Sequence, residues 1–161
     1  VVSETDKAYA AGLFDGEGTV GISYRMQAAK SKKETYSVKV SIAMIDQDSI
    51  LWIVSRFGGH YDTTNRTKGG NVIHRWTLHC RKAADFLEIV CPYLKLKRAR
   101  AEAAIQLARM ARRRGAKKGS EGMQPMTDDE IRLQKPLADF IRAANLRSNQ
   151  KIASYAKWGV N

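Results

Sequence analysis

The sequence predicts an α+β chain built on a four-stranded antiparallel sheet, in the order helix, two strands, helix, two strands, helix, with extra helices behind. Three observations predict it. Two stretches alternate apolar and polar residues at the period of a half-buried strand. Helical spacings with stop signals separate the strand pairs. The second face of every strand carries Ser, Thr, Arg, Lys or Gln, so one side of the sheet packs on helices and the other stays wet.

Ser3 and Asp6 have the spacing of a capping box, and the segment from Asp6 to Phe14 offers Ala, Tyr and Leu without Pro, which predicts a short first helix. It should end at Asp15-Gly16-Glu17-Gly18, where the glycines supply unusual backbone angles. From Thr19 the period becomes two. Val20, Ile22, Tyr24 and Met26 share one face, and Thr19, Ser23, Arg25 and Gln27 the other. A polar loop, 29–34, leads to a second alternation with Tyr36, Val38, Val40, Ile42 and Met44 inward and Ser37, Lys39 and Ser41 outward.

A second helix is expected over 48–57, stopped by Gly58-Gly59. A second hairpin follows, with strands at 60–66 and 72–80, Val72, Trp76 and Leu78 inward, and Arg75 and Thr77 outward. A third helix should cover 81–90, and Pro92 separates it from a basic helix over about 94–113 whose inner stripe is Ala99, Ala103, Leu107 and Met110. Residues 115–126 read as a Gly, Lys and Ser rich linker. Thr127-Asp128-Asp129-Glu130 opens a last helix, and a mobile tail is expected beyond Arg147. The organisation is thus a core at 1–114, a linker at 115–126 and a helical extension at 127–161.

With 161 residues the chain supports one domain and a peripheral extension. Its 28 Lys and Arg against 16 Asp and Glu give a formal charge of +12, which points to a polyanionic partner, nucleic acid first. No stretch approaches the roughly 18 apolar residues of a membrane-spanning helix, and the N-terminal residues lack the basic start and apolar run of a secretion signal. Cys80 and Cys91 are too few for a disulfide framework and read as buried free thiols, so an intracellular protein is expected, organellar or microbial. His74 and His79 have a zinc-finger spacing but no C-x-x-C pair beside them, and a strand would turn them to opposite faces.

The segment Ala10-Ala11-Gly12-Leu13-Phe14-Asp15-Gly16-Glu17-Gly18 resembles the nine-residue LAGLIDADG signature of homing endonucleases. It departs at Ala10, where Leu is usual, and carries Glu17 in place of the final Asp, which keeps the carboxylate. The resemblance continues through the element order, Phe57-Gly58-Gly59 and Pro92-Tyr93-Leu94-Lys95-Leu96-Lys97, and stops before residue 115. It implies the family's αββαββα saddle and an intron-encoded, site-specific endonuclease that hydrolyses both strands of a long, near-palindromic duplex DNA. One motif per chain implies a homodimer, paired through the small face of the first helix at Ala8, Ala11 and Gly12, with Asp15 a cap at that interface.

The resemblance also assigns a site. Glu17 is the metal ligand, with the Gly16 carbonyl a second, weaker one, and the ion is Mg²⁺; Mn²⁺ should substitute, and Ca²⁺ should support binding without cleavage. Gln47 looks like a position that orients attacking water, Asp46 being the alternative one residue away, and Lys97 like a lysine near the scissile phosphate. A basic position that some relatives carry falls near Leu51. On a duplex, Ser23, Arg25, Gln27, Ser37, Lys39, Ser41, Thr63, Asn65, Arg75 and Thr77 would read bases, while Lys30, Lys32, Lys33, Arg66 and Lys68 at the loop tips would hold phosphates. Two other functions fit the same residues: a non-catalytic DNA-binding regulator, and an RNA-splicing maturase using Lys117, Lys118 and the Arg-rich helix.

Overall fold

The fold is seen in a computed structural model that describes residues 2–26, 34–65, 70–112 and 127–146. Helix α1 spans Glu4–Glu17, β1 Gly18–Met26, β2 Glu34–Met44, α2 Gln47–Phe57, β3 His60–Asn65, β4 Val72–His79, α3 Cys80–Val90, α4 Arg98–Arg112 and α5 Asp128–Ala144, with a 3-10 turn at Cys91–Tyr93. The four strands form one antiparallel sheet in the order β1-β2-β4-β3. The α+β class and the alternation of hairpins with helices are as the sequence implies. The expected linker and the tail beyond Arg147 lie outside the described residues.

Helix α1 starts where its capping box demands: Ser3 accepts the Asp6 N–H and Asp6 accepts the Ser3 N–H. It runs to Glu17, ending within the Asp15-Gly16-Glu17-Gly18 segment as expected. Gly18 leaves it with an ordinary extended backbone, φ −79°, so the exit does not use the left-handed angles expected of it. What glycine provides here is room, because a Cβ at Gly18 would collide with the Phe14 ring and carbonyl. Gly59 serves the other function, with φ +109° and the Trp76 and Leu78 side chains packed where a Cβ would stand. The Trp76 indole N–H donates to the Gly58 carbonyl at 2.6 Å, which fastens the end of α2 to β4.

The inner sheet face carries Val20, Val38, Val40, Ile42, Trp76 and Leu78, all buried under the helices. Phe86 of α3 is the hub beneath them. Its ring meets Phe14 at 5.5 Å, Phe57 at 5.1 Å and Trp76 at 4.8 Å between centroids, each edge-on, so one side chain braces α1, α2 and the sheet together. Helix α5 packs on α4 and on β1 and β2, burying Ala138 and Ile141, and the Asn145 side chain donates to the Val20 carbonyl at 2.6 Å.

Three details correct the sequence reading. The basic helix starts at Arg98, with 94–97 irregular, and its buried set is Ala101, Ala103, Ala104, Ile105, Leu107 and Ala108. Ala99 is exposed, because a helix held between α3 and α5 buries two faces and a single-stripe template misplaces the phase. Val72 is exposed near the open end of β4. Cys80 is also exposed rather than buried, at the strand-to-helix corner with φ 52°, its Sγ 3.0 Å from Ser37 Oγ, while Cys91 is half-buried.

Phe86→Ala should cost about 3–5 kcal/mol of folding stability, the range for emptying an aromatic site in a core. Urea unfolding measures it, and a loss below about 1 kcal/mol would mean that the cluster is not the brace described.

Candidate functional site

Helix α1 reaches its C-terminus with no basic residue in its last turn, so its final carbonyls and negative dipole end need a cation from elsewhere. Lys97 supplies it across 80 residues of chain. Its Nζ donates to the Phe14 carbonyl at 2.9 Å, to the Asp15 carbonyl, and at 3.4 Å to the Gly16 carbonyl. The side chain is buried. Burial pushes the ammonium pKa down and Arg100 adds to that, while Asp15 and Glu17 oppose it.

Asp15 answers in the other direction. Its carboxylate accepts the backbone N–H groups of Lys95, Leu96 and Lys97 at 2.6, 3.2 and 2.9 Å. The end of α1 and the 95–97 turn are thus bound by a reciprocal lock of six hydrogen bonds, three from each side. Just past it stand Gly16 and Glu17, both exposed at the last turn of the helix. An exposed carboxylate and a carbonyl at the negative end of a helix are hard oxygen donors suited to a divalent ion of the Mg²⁺ type. They make only part of a coordination shell, and among the described residues no cluster of three or more His, Cys, Asp or Glu completes one within the chain. Water, phosphate oxygens or a second copy would have to supply the rest.

Gly18 pairs with Ile42, so β2 runs on to the same end of the sheet before turning into α2. Gln47 is therefore brought to the end of the sheet from which Glu17 leaves. It is the exposed first residue of α2, and its Nε2 donates to the Tyr61 hydroxyl at 3.3 Å. Asp46 is committed to capping α2, accepting the Ser49 N–H at 2.9 Å, and the Ser49 bonds with nearby His74 hold its carboxyl below the usual range. Leu51 is exposed on α2.

Directly paired residues share a sheet face, and the register fixes which residues look outward. Thr19, Ser41, Thr77 and His60 form one row across all four strands, Gly21, Lys39 and His79 a second, and Ala43, Arg75 and Asp62 a third. Ser23 lies opposite Ser37, and Arg25 opposite Thr35. Ser23, Ser37, Lys39, Ser41 and Arg75 therefore stand on the outer face as expected, all partly exposed. Thr77 shares that face but is only 5% exposed, because its short side chain sits in the middle strand with Ser41 on one side and His60 on the other.

Thr63 is on the wrong side. It pairs with His74, in phase with Trp76, which places it on the helix-facing side and leaves His60, Asp62 and Thr64 as the outward residues of β3. The phase was available in the sequence, since Tyr61 is the one aromatic residue of that strand and faces inward opposite Trp76. Asp62 lies 4.0 Å from the Arg75 guanidinium and helps to aim it. Gln27, Lys30, Lys32, Lys33, Arg66 and Lys68 lie outside the described residues, as do the side chains of Arg25 and Asn65.

Of the residues expected at a helix pairing, Ala8 and Gly12 are exposed and nothing stands within 4 Å of a Cβ built on Gly12, so that strip of α1 is open to close approach. Ala11 is not part of it. It is fully buried in the chain's own core, one residue round the helix from Gly12. Asp15 is half-buried and turned to the 95–97 turn.

Asp15 also sets a pH dependence. Burial raises its pKa, but the three backbone N–H bonds and the Lys97 charge more than reverse this, leaving it below the ordinary value. A depressed folded-state pKa gives stability that is complete above the unfolded value and lost as pH falls through the folded one. The stability difference between wild type and Asp15→Asn should therefore be constant above about pH 5 and shrink below about pH 4. Urea unfolding across that range tests it, and a difference independent of pH would remove the charge from the account.

No family model matches the sequence, and no curated protein matches it. The fold, however, has solved counterparts. A structure of the homing endonuclease I-CvuI in complex with a DNA target matches with a TM-score of 0.68 and 17% identity over 97% of this chain and 96% of that one. The archaeal intron-encoded homing endonuclease I-Vdi141I, complexed with DNA, matches with a TM-score of 0.67 and 13% identity over 98% and 99%. The meganuclease I-SmaMI matches with a TM-score of 0.62 and 14% identity over 83% of this chain but only 44% of its own. This chain has the fold of solved homing endonucleases.

Proposed function

We propose that the chain is a site-specific, double-strand DNA endonuclease that works as a homodimer. The observation that carries this is the α1 exit: a buried lysine and a reciprocally bonded aspartate fix it, and it presents an exposed carboxylate, Glu17, at one end of a sheet whose outer face is polar and basic. A turn that served only as a solvated helix end would not need a buried ammonium to hold it. The homing endonuclease fold and the net charge of +12 point the same way.

In this reading two copies pair through the open strip at Ala8 and Gly12, which brings the two Glu17 carboxylates to one axis. With the Gly16 carbonyls they would hold Mg²⁺, which when bound relieves charge on the phosphate and lowers the pKa of water. Gln47 orients the attacking water. Lys97 acts by keeping the α1 exit in place, its buried ammonium donating to the Phe14, Asp15 and Gly16 carbonyls. The outer face reads the major groove through Ser23, Ser37, Lys39, Ser41 and Arg75, and the two-fold axis makes the target near-palindromic.

The test selects duplexes from randomised near-palindromes in Ca²⁺ and transfers them to Mg²⁺, for wild type and Glu17→Gln. Wild type should cut both strands of the selected duplexes, with Mn²⁺ able to replace Mg²⁺, and the variant should bind without cutting. A wild type that binds a defined site and cuts it with neither ion would make the protein a regulator, and a preference for structured RNA would make it a maturase. Arg75→Ala should weaken binding by about 1–3 kcal/mol and relax preference at one base pair of each half-site. Binding to singly substituted duplexes in Ca²⁺ reads this, and a uniform loss across all sequences would assign Arg75 to phosphate instead.

A further inference from the structure

Beside Gln47 lies a pair of side chains that the endonuclease reading does not use. The Tyr61 hydroxyl is 2.7 Å from His74 Nδ1, and Gln47 Nε2 donates to that same hydroxyl at 3.3 Å. The two rings are nearly parallel, with 12° between their planes and 6.0 Å between centroids. Both residues are half-buried on the inner sheet face; His74 sits on β4, paired on both sides with Met44 and Thr63, and Tyr61 on the edge strand β3, paired with Trp76. We propose that Tyr61 and His74 are positioning residues that fix which end of the Gln47 amide faces the attacking water; this rests on the function proposed above.

The argument is one of hydrogen-bond polarity. A carboxamide presents an acceptor oxygen at one end and a donor NH2 at the other, with nearly the same shape, so only its partners decide which end points where. Tyr61 has one hydroxyl proton. When that proton goes to the Nδ1 lone pair of His74, the hydroxyl oxygen accepts from Gln47 and the amide NH2 is drawn toward Tyr61. Oε1 is then turned away as an acceptor, which is what a water needs if its proton is to be held while its lone pair attacks phosphorus. The reversed amide would offer that water a donor and occupy the lone pair that must react. Asp46 caps the helix on which Gln47 stands, and pairing with Trp76 holds the Tyr61 backbone.

The experiment is single-turnover cleavage of a selected duplex in Mg²⁺ by wild type, Tyr61→Phe, His74→Phe, Gln47→Ala and the Tyr61→Phe/Gln47→Ala double variant. Binding in Ca²⁺ and thermal unfolding are measured alongside. Both phenylalanine variants keep an aromatic ring at the position. Tyr61→Phe and His74→Phe should each slow cleavage by about three- to tenfold, the effect of one neutral hydrogen bond, with DNA affinity unchanged. In the Gln47→Ala background Tyr61→Phe should slow cleavage no further, because its effect passes through Gln47. Independent losses that multiply in the double variant would overturn the relay, as would a Tyr61→Phe enzyme that cuts at the wild-type rate. A Gln47→Ala enzyme as fast as wild type would also overturn it while leaving the endonuclease standing, so long as Glu17→Gln is inactive. A wild type that never cuts removes both. Should Tyr61→Phe unfold early, the same coupling is read from His74→Phe with and without Gln47→Ala.

Discussion

The constraint on which the site depends is the unsatisfied C-terminal end of α1. A helix leaves its last carbonyls without partners, and this one has no cation of its own to meet them. Lys97 fills that need from the turn before α4, and Asp15 binds the backbone of the same turn in return. Each half of the lock makes the other affordable in electrostatic terms. A buried ammonium is costly unless it is fully bonded, and the carboxylate that offsets its charge is itself held by three N–H groups.

The same lock connects two parts of the chain that the core alone would leave loosely related. Phe14 sits one residue before Asp15 and packs on Phe86 of α3, while Trp76 brings the sheet to that ring from the other side. The direction of α1, the position of the sheet and the turn at 95–97 are therefore set by neighbouring contacts in one cluster. A carboxylate at Glu17 inherits that rigidity although it is itself exposed. This is the usual way to hold a reactive group within a small tolerance while leaving it open to a ligand.

Much of this was legible in the sequence because the first hairpin alternates cleanly. Val38, Val40 and Ile42 leave no doubt about phase, and the strands fell where the pattern put them. The second hairpin was harder. His60-Tyr61-Asp62-Thr63-Thr64-Asn65 is polar on both faces, so its phase hangs on Tyr61 alone, which turns Thr63 inward. Thr77 shows a different limit: parity gives the face of a residue but not whether its neighbours across the strands cover it. Ala11 and Ala99 were misplaced for a third reason, since small residues suit a helix pairing, a core and a solvent face alike, and only the packed neighbours distinguish them. The role of Lys97 in holding α1 was out of reach, because no local pattern connects a lysine to carbonyls 81 to 83 residues away.

The site divides into a part that is fixed and a part that is adjustable. At the α1 exit the Asp15 and Lys97 side chains are both bonded to backbone groups, so a change of either disturbs the main chain of a second element. On the outer sheet face the side chains stand in rows supported only by their neighbours, as Asp62 supports Arg75. Substitution in those rows alters the pattern of donors and acceptors without touching the core beneath, because the inner face of each strand carries the packing. A protein that must keep one chemical step while changing the sequence it recognises would need that separation. The Tyr61, His74 and Gln47 cluster lies at the boundary, with its rings on the packed face and its amide in the open. A change on the inner face of β3 or β4 would therefore reach Gln47 through Tyr61 and His74 before it reached Glu17.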